Sequence, residues 1–192
     1  KQNRLYHCRR KQKLSEDEIR KKWEEQPMLR PKIEKVVVNI SVGKSGEPLE
    51  KAAKVLKDLS GQTPCKRKAK KTIRDFGIRK GEPIACMVTL RKQRAMEFLK
   101  KVLPIVDNKI SKESFDGYGN FSFGIKEHIE IAGVKYDPNV GIFGMDVCVS
   151  LTRLGYRVKN RRREKAKVGS GHILTSDEAM VFARDALGLD VM

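Results

Sequence analysis

Hydrophobic and polar positions alternate in four stretches of the chain. In KVVVNISV, Lys35 to Val42, the residues Val36, Val38, Ile40 and Val42 share one face, and Val37, Asn39 and Ser41 share the other. This period of two predicts a half-buried strand. Ile84 to Arg91, IACMVTLR, repeats the pattern, with Ile84, Cys86, Val88 and Leu90 against Ala85, Met87, Thr89 and Arg91. Phe121, Phe123 and Ile125 alternate after the turn-forming DGYGN, and MDVCVSLT, Met145 to Thr152, gives a further clear strand. Between the strands the period changes to that of a helix. Leu49, Ala52, Ala53, Leu56 and Leu59 fall on one helical face, with Pro48 near the start and Gly61 just past the end, as helix termini favour. Ala95, Phe98, Leu99 and Val102 define a second helix from about Arg94, which Pro104 disturbs. Capping boxes at Ser15–Glu18 and Thr175–Glu178 open two more. The first ends before Pro27 and carries a thin apolar face, Ile19 and Trp23, which needs a larger surface to dock on; the last runs to Gly188. This order predicts an α+β fold with helices on one face of a mostly antiparallel sheet. Residues 1–27 are expected to form a basic N-terminal extension with a short helix, and residues 28–192 a single α+β domain.

A chain of 192 residues with 39% hydrophobic content is large enough to bury a core. Its net charge of +18 changes the picture more, because it is concentrated. Pro64 to Lys80 carries eight basic residues against Asp75, and Arg153 to Lys167 eight against Glu164. A surface that serves only solubility mixes its signs. Clustering of this kind points instead to a polyanionic partner, nucleic acid or an acidic membrane surface. No apolar run approaches the ~18–20 residues of a membrane span, so a membrane is not expected. Cysteines 8, 65, 86 and 148 form no CxxC pair and read as reduced thiols of a cytosolic protein. No secretory leader is expected. His7 and Cys8 could hold a metal only with distant partners, so neither a metal site nor a cofactor is expected.

If the strands are neighbours, Asn39, Ser41, Thr89, Arg91, Cys148, Ser150 and Thr152 lie on the sheet face opposite the helices. Such a face of small, mostly uncharged polar groups can simply meet water. It also suits an RNA minor groove, where short hydrogen-bonding side chains reach 2′-hydroxyls and sugar edges. Catalysis finds little support. Gly43-Lys44-Ser45 follows a strand and precedes a helix, but a phosphate-binding GxxxxGK[ST] loop needs glycine where Val38 stands. No HExxH or GxSxG occurs. His128, between Glu127 and Glu130, reads as a surface histidine.

VVVNISVGKSGEPLEKA, GQTPCKRKAKKTIRDFGIRKGEPI, ESFDGYGNFSFGIKEHIEI and KYDPNVGIFGMDVCVSL closely resemble the large-subunit ribosomal protein five family, over roughly Met28 to Met192. The RRRxKAK segment and the N-terminal extension look most like its archaeal branch. The resemblance implies a non-enzymatic protein of the cytoplasmic ribosome that binds 5S rRNA and helps seat it in the central protuberance. The family uses an asparagine, a glutamine and a threonine on the open sheet face, which fall on Asn39, Gln62 and Thr89. With Ser41, Thr63, Arg67, Lys68 and Arg91 these form the expected 5S rRNA set. The resemblance also implies that a loop spanning Lys71 to Gly81 reaches P-site tRNA, through Lys71, Arg74, Phe76, Gly77, Ile78, Arg79 and Lys80. The segment 135–146 would meet a head protein of the small subunit across an intersubunit bridge. Arg157, Lys159, Arg161, Arg162, Arg163, Lys165 and Lys167 are expected to bind large-subunit rRNA, and their like charges to keep that run mobile in the free protein. A messenger-RNA or DNA regulator and a phosphate-handling enzyme at Gly43-Lys44-Ser45 are the other readings. Within KRKAKKTIRDFGIRK, Lys66 to Lys70 should run along the sheet while Lys71 to Gly81 projects. Phe76 and Ile78 would either pack on each other across that loop or rest against a tRNA elbow.

Overall fold

A computed structural model describes residues 15–133 and 138–192. Helix α1 (Glu16–Glu25) is followed by strand β1 (Lys32–Ser41), helix α2 (Glu47–Ser60), and strands β2 (Cys65–Lys68) and β3 (Pro83–Leu90). Helix α3 (Lys92–Val102), the short strand β4 (Lys109–Ile110), and strands β5 (Phe121–Ile125) and β6 (Met145–Thr152) come next. A single turn, α4 (Arg157–Asn160), the helix α5 (Ser176–Leu187) and the short β7 (Asp190–Val191) complete the order.

Five strands form one antiparallel sheet in the order β2-β3-β1-β6-β5. The alternation dictates which face is buried. Val36, Val38 and Ile40 of β1, Cys86, Val88 and Leu90 of β3, and Val147, Val149 and Leu151 of β6 all enter one core. Against them pack Leu49, Ala52 and Leu56 of α2, Ala95, Phe98, Leu99 and Val102 of α3, and Ala179, Val181, Phe182 and Ala183 of α5. The α+β arrangement expected from the sequence is therefore present, with its helices gathered on one side of the sheet. A two-stranded parallel pair, β4 with β7, joins the chain end to the segment after α3; at two residues a strand it carries no alternation for sequence reasoning to detect.

Both capping boxes form, at Ser15 with Glu18 and at Thr175 with Glu178. Ile19 and Trp23 of α1 are buried in the same core. Arg20 makes a forked contact to Asp185 of α5 at 2.9 and 3.2 Å, and Arg184 of α5 returns one to Glu16. The larger surface that the thin face of α1 requires is thus α5.

Candidate nucleic-acid interface

The register sets the opposite, uncovered face of the sheet. Cys65, Met87, Asn39, Asp146 and Gly124 stand in one row across the strands, and Thr89, Val37, Cys148 and Ser122 in the next. Arg67, Ala85 and Ser41 form a row on the other side of Asn39. Asn39 therefore sits on the central strand, with Thr89 diagonal to it. Its Nδ2 donates to Ser41 Oγ at 3.0 Å, which fixes both side chains on this face. Gln62 lies beyond the left-handed Gly61 that ends α2. With its amide oriented to suit its neighbours, it donates to Thr89 O at 3.2 Å and accepts from Arg94 Nη1 at 2.9 Å. Asn39 and Thr89 thus lie on neighbouring strands of this face, with Gln62 held at the Thr89 carbonyl. Thr63, Arg67 and Lys68 are exposed nearby. Arg91 stands at the N-cap position of α3, without a side-chain cap bond, and meets Glu34 at 3.8 Å.

The face is less neutral than the alternation suggested. Asp146 is exposed in the central row beside Asn39, and its even spacing from Cys148, Ser150 and Thr152 was a legible signal for it. Burial, with Asp146 adding to it, pushes the Cys148 thiol up, so the thiol stays protonated. A bulge in β1 sets Ile33 opposite Leu151 and Lys35 opposite Ser150, leaving Glu34 as the extra residue. No sequence feature announces that bulge.

The segment 71–81 is a closed hairpin rather than an open loop. Ile73 and Ile78 exchange backbone hydrogen bonds at 2.9 and 3.0 Å, and Gly77 N–H returns to Arg74 O at 3.0 Å. Gly77 and Gly81 take positive φ, 65° and 90°, which glycine adopts without steric cost. Ile78 has Ile73 as its cross-strand partner, and Phe76 is 74% exposed at the tip. Lys71, Arg74, Arg79 and Lys80 are exposed around it. Below the tip, Lys80 N–H donates to Thr72 Oγ1 at 3.0 Å. Glu82 accepts from Ser45 Oγ and from Arg79 N–H at 3.1 Å, and these bonds hold its carboxyl below the usual range. Ser45 of the Gly43-Lys44-Ser45 motif thus braces the hairpin base. Lys66 points to the helix side, where Glu50 lies 3.5 Å away.

In the second basic run, α4 makes a single turn, and Arg161 Nε donates to Glu164 O at 2.7 Å. Arg157, Lys159, Arg161, Arg162, Arg163, Lys165 and Lys167 are all exposed. Arg153, counted with this run by sequence, is a core residue only 3% exposed. Its Nη2 lies 2.6 Å from Glu178 Oε1, without the alignment of a hydrogen bond, and its Nη1 donates to His172 O at 3.2 Å. His128 is a second correction: it is 4% exposed, not a surface residue. The sequence run Lys126 to Glu130 is charged, but a short 3-10 turn carries His128 inward onto Phe143. Its Nδ1 accepts from Phe143 N–H at 3.2 Å, as a neutral imidazole can, and burial lowers its pKa. Of the bridge segment 135–146, residues 135–137 lie outside the described residues, as do His7 and Cys8. Ile142 is exposed and β6 begins at Met145.

Fold and surface define a basic α+β protein whose sheet face away from the helices carries small and polar side chains, with exposed cations on the hairpin 71–81 and along residues 157–167. Among the described residues no cluster of side chains could hold a metal ion, and no helix is long and apolar enough to cross a membrane. The model of the family described as ribosomal protein L5 matches residues 26–79, and that of the ribosomal L5P family C-terminus matches residues 83–182. The chain is 58% identical to the large ribosomal subunit protein uL5 of Pyrobaculum aerophilum, over 86% of this chain and 92% of that protein. It is 53% identical to uL5 of Aeropyrum pernix, over 90% of each, and 49% identical to uL5 of Sulfolobus acidocaldarius, over 88% of this chain and 94% of that one. The chain belongs to the ribosomal protein L5 family, in its archaeal branch. It is a structural ribosomal protein of the cytoplasm, not an enzyme.

Proposed function

We propose that this chain, a structural constituent of the large ribosomal subunit, binds 5S rRNA through its uncovered sheet face and helps attach it in the central protuberance. The observation that carries the reading is the placement of Asn39, Ser41 and Thr89 on neighbouring strands of that face, with Gln62 bonded to the Thr89 carbonyl. Short hydrogen-bonding groups on a rigid sheet suit the shallow minor groove of an RNA helix. Arg67 and Lys68 on the edge strand supply phosphate contacts beside them, and Thr63 and Arg91 extend the surface past Thr89. The hairpin 71–81 reaches P-site tRNA with Lys71, Arg74, Arg79 and Lys80 around the exposed Phe76. The run from Arg157 to Lys167 binds large-subunit rRNA, its arginines suited to bidentate phosphate contacts. The segment 135–146 contacts a small-subunit head protein.

The test is affinity for purified 5S rRNA with a backbone footprint. Asn39→Ala and Thr89→Ala should each cost about 1–3 kcal/mol, because a buried partner on the RNA is left unpaired, and protection should vanish at one helix. Wild-type affinity in both variants would remove the sheet face from the 5S contact.

A further inference from the structure

A cleft of about 530 Å³ opens where the second basic run folds back over the β1–β6 end of the sheet face. Glu34, Lys35, Tyr118, Ser150, Lys159 and Lys167 line it. Three features separate it from a plain groove. The first is the β1 bulge, which lets two successive residues, Glu34 and Lys35, line the same cleft. The second is Tyr118, a large ring 66% exposed on a turn that cannot easily relax. Asp116 Oδ1 accepts from the N–H groups of Tyr118 and Asn120 at 2.9 and 2.7 Å, and its Oδ2 accepts from Asn120 Nδ2 at 2.7 Å. Gly119 is clamped beneath, since a Cβ there would lie 2.7 Å from Leu174. The fold therefore holds rigid the backbone that carries this exposed ring, which contributes little to the core. The third feature is the charge pattern: lysines 35, 159 and 167 line the cleft with a single carboxylate, Glu34. The Glu34–Arg91 contact is long, at 3.8 Å, and partly exposed. Such a pair is worth little, so the carboxylate is free to accept from a ligand.

The geometry points to this cleft as a pocket for one unstacked guanine nucleotide of an RNA strand, with Glu34 on its Watson–Crick edge and Tyr118 on its ring. The inference rests on the reading of the chain as an RNA-binding protein and names what a site beside the 5S surface selects. An ionised carboxylate only accepts hydrogen bonds. Guanine presents two adjacent donors, N1–H and the N2 amine, to its two oxygens. Adenine and cytosine each offer one amine beside an acceptor nitrogen, which the carboxylate repels. Bases splayed out of single strands are read in this way, by edge bonds and aromatic stacking. Lys159 and Lys167 meet the flanking phosphates, and the Ser150 hydroxyl is available to the sugar.

The test is fluorescence anisotropy of the full chain with labelled hexaribonucleotides at one low salt concentration. Hexauridylate is compared with the same hexamer carrying one central guanosine, or inosine, which lacks the N2 amine. The guanosine hexamer should bind at least fivefold more tightly than hexauridylate, and inosine should fall back toward it. Glu34→Gln should abolish the guanosine preference and leave hexauridylate within twofold. Tyr118→Ala should weaken both hexamers at least fivefold, as loss of a stacking ring does. Asn39→Ala should keep the preference. Equal binding of the two hexamers by the unaltered protein, or a preference that survives Glu34→Gln, overturns the pocket. Either result beside normal Asn39-dependent 5S binding leaves the 5S surface standing, and a preference retained without 5S binding supports the pocket alone.

Discussion

Arg153 and Arg157 stand four residues apart in one basic run, and the fold treats them oppositely. Arg157 is exposed, while Arg153 is spent inside the protein against Glu178 and the His172 carbonyl. Composition could not separate them, because local charge density says nothing of which side chain a strand end turns inward. Parity offered a hint, since Arg153 follows the buried sequence Val147, Val149, Leu151 at even spacing. His128 was hidden for the opposite reason: its neighbours are charged, and only the turn at 128–130 carries it into the core. Asn39 and Thr89 were legible because alternation assigns a face directly. Gln62 was not, since its place depends on a chain reversal at Gly61. Removing one partner of a buried pair leaves a charge uncompensated. Arg153→Leu should therefore lower stability by about 3 kcal/mol, seen as a fall in the urea midpoint with unchanged m. The salt dependence of its RNA binding should stay as it was. An unchanged midpoint would show that Glu178 finds water as good a partner.

The four long strands and the helices α1, α2, α3 and α5 were legible as elements because each repeats its period over several residues. The shorter pieces were not. β2 is the four-residue CKRK, with Cys65 its one uncharged residue, and joins the sheet because β3 offers it an edge. The hairpin 71–81 was expected as a loop, but the Ile73–Ile78 pairing that closes it was not. That pairing makes the tip a unit, braced from below by Ser45 and Glu82 rather than by the core. Replacing Arg74, Arg79 and Lys80 with serine should leave the brace intact, since Arg79 and Lys80 contribute to it through backbone N–H groups. On the proposed division of labour, these replacements leave 5S rRNA affinity nearly unchanged at low salt and weaken retention of P-site tRNA in assembled ribosomes. Lost 5S binding with normal tRNA occupancy would assign the hairpin to the 5S contact instead.

Across the whole molecule the positive charge is distributed by role. Lys66 is engaged by Glu50 on the helix side, Arg153 by Glu178 in the core, and Arg20 and Arg184 by acids joining α1 to α5. Exposed cations remain on the edge strand β2, around the hairpin and along residues 157–167. The net charge of +18 therefore overstates how much of the protein answers to a polyanion at any one surface. Salt dependence measures the relevant quantity, because each phosphate neutralised releases counterions and adds roughly 0.7–0.9 to the slope of log K against log salt. Replacing both Arg67 and Lys68 with serine should weaken 5S rRNA binding and make that slope shallower by about 1.4–1.8. Asn39→Ala should weaken binding with no change of slope, since an amide releases no counterion. The two variants can be matched in affinity at one salt concentration and must then diverge as potassium chloride is raised: the Asn39→Ala line falls in parallel with the unaltered protein, while the double variant falls less steeply and approaches it. If both lines flatten equally, Asn39 acts by positioning the edge-strand cations rather than by reading the RNA, and the sheet face is scaffold for the charge beside it.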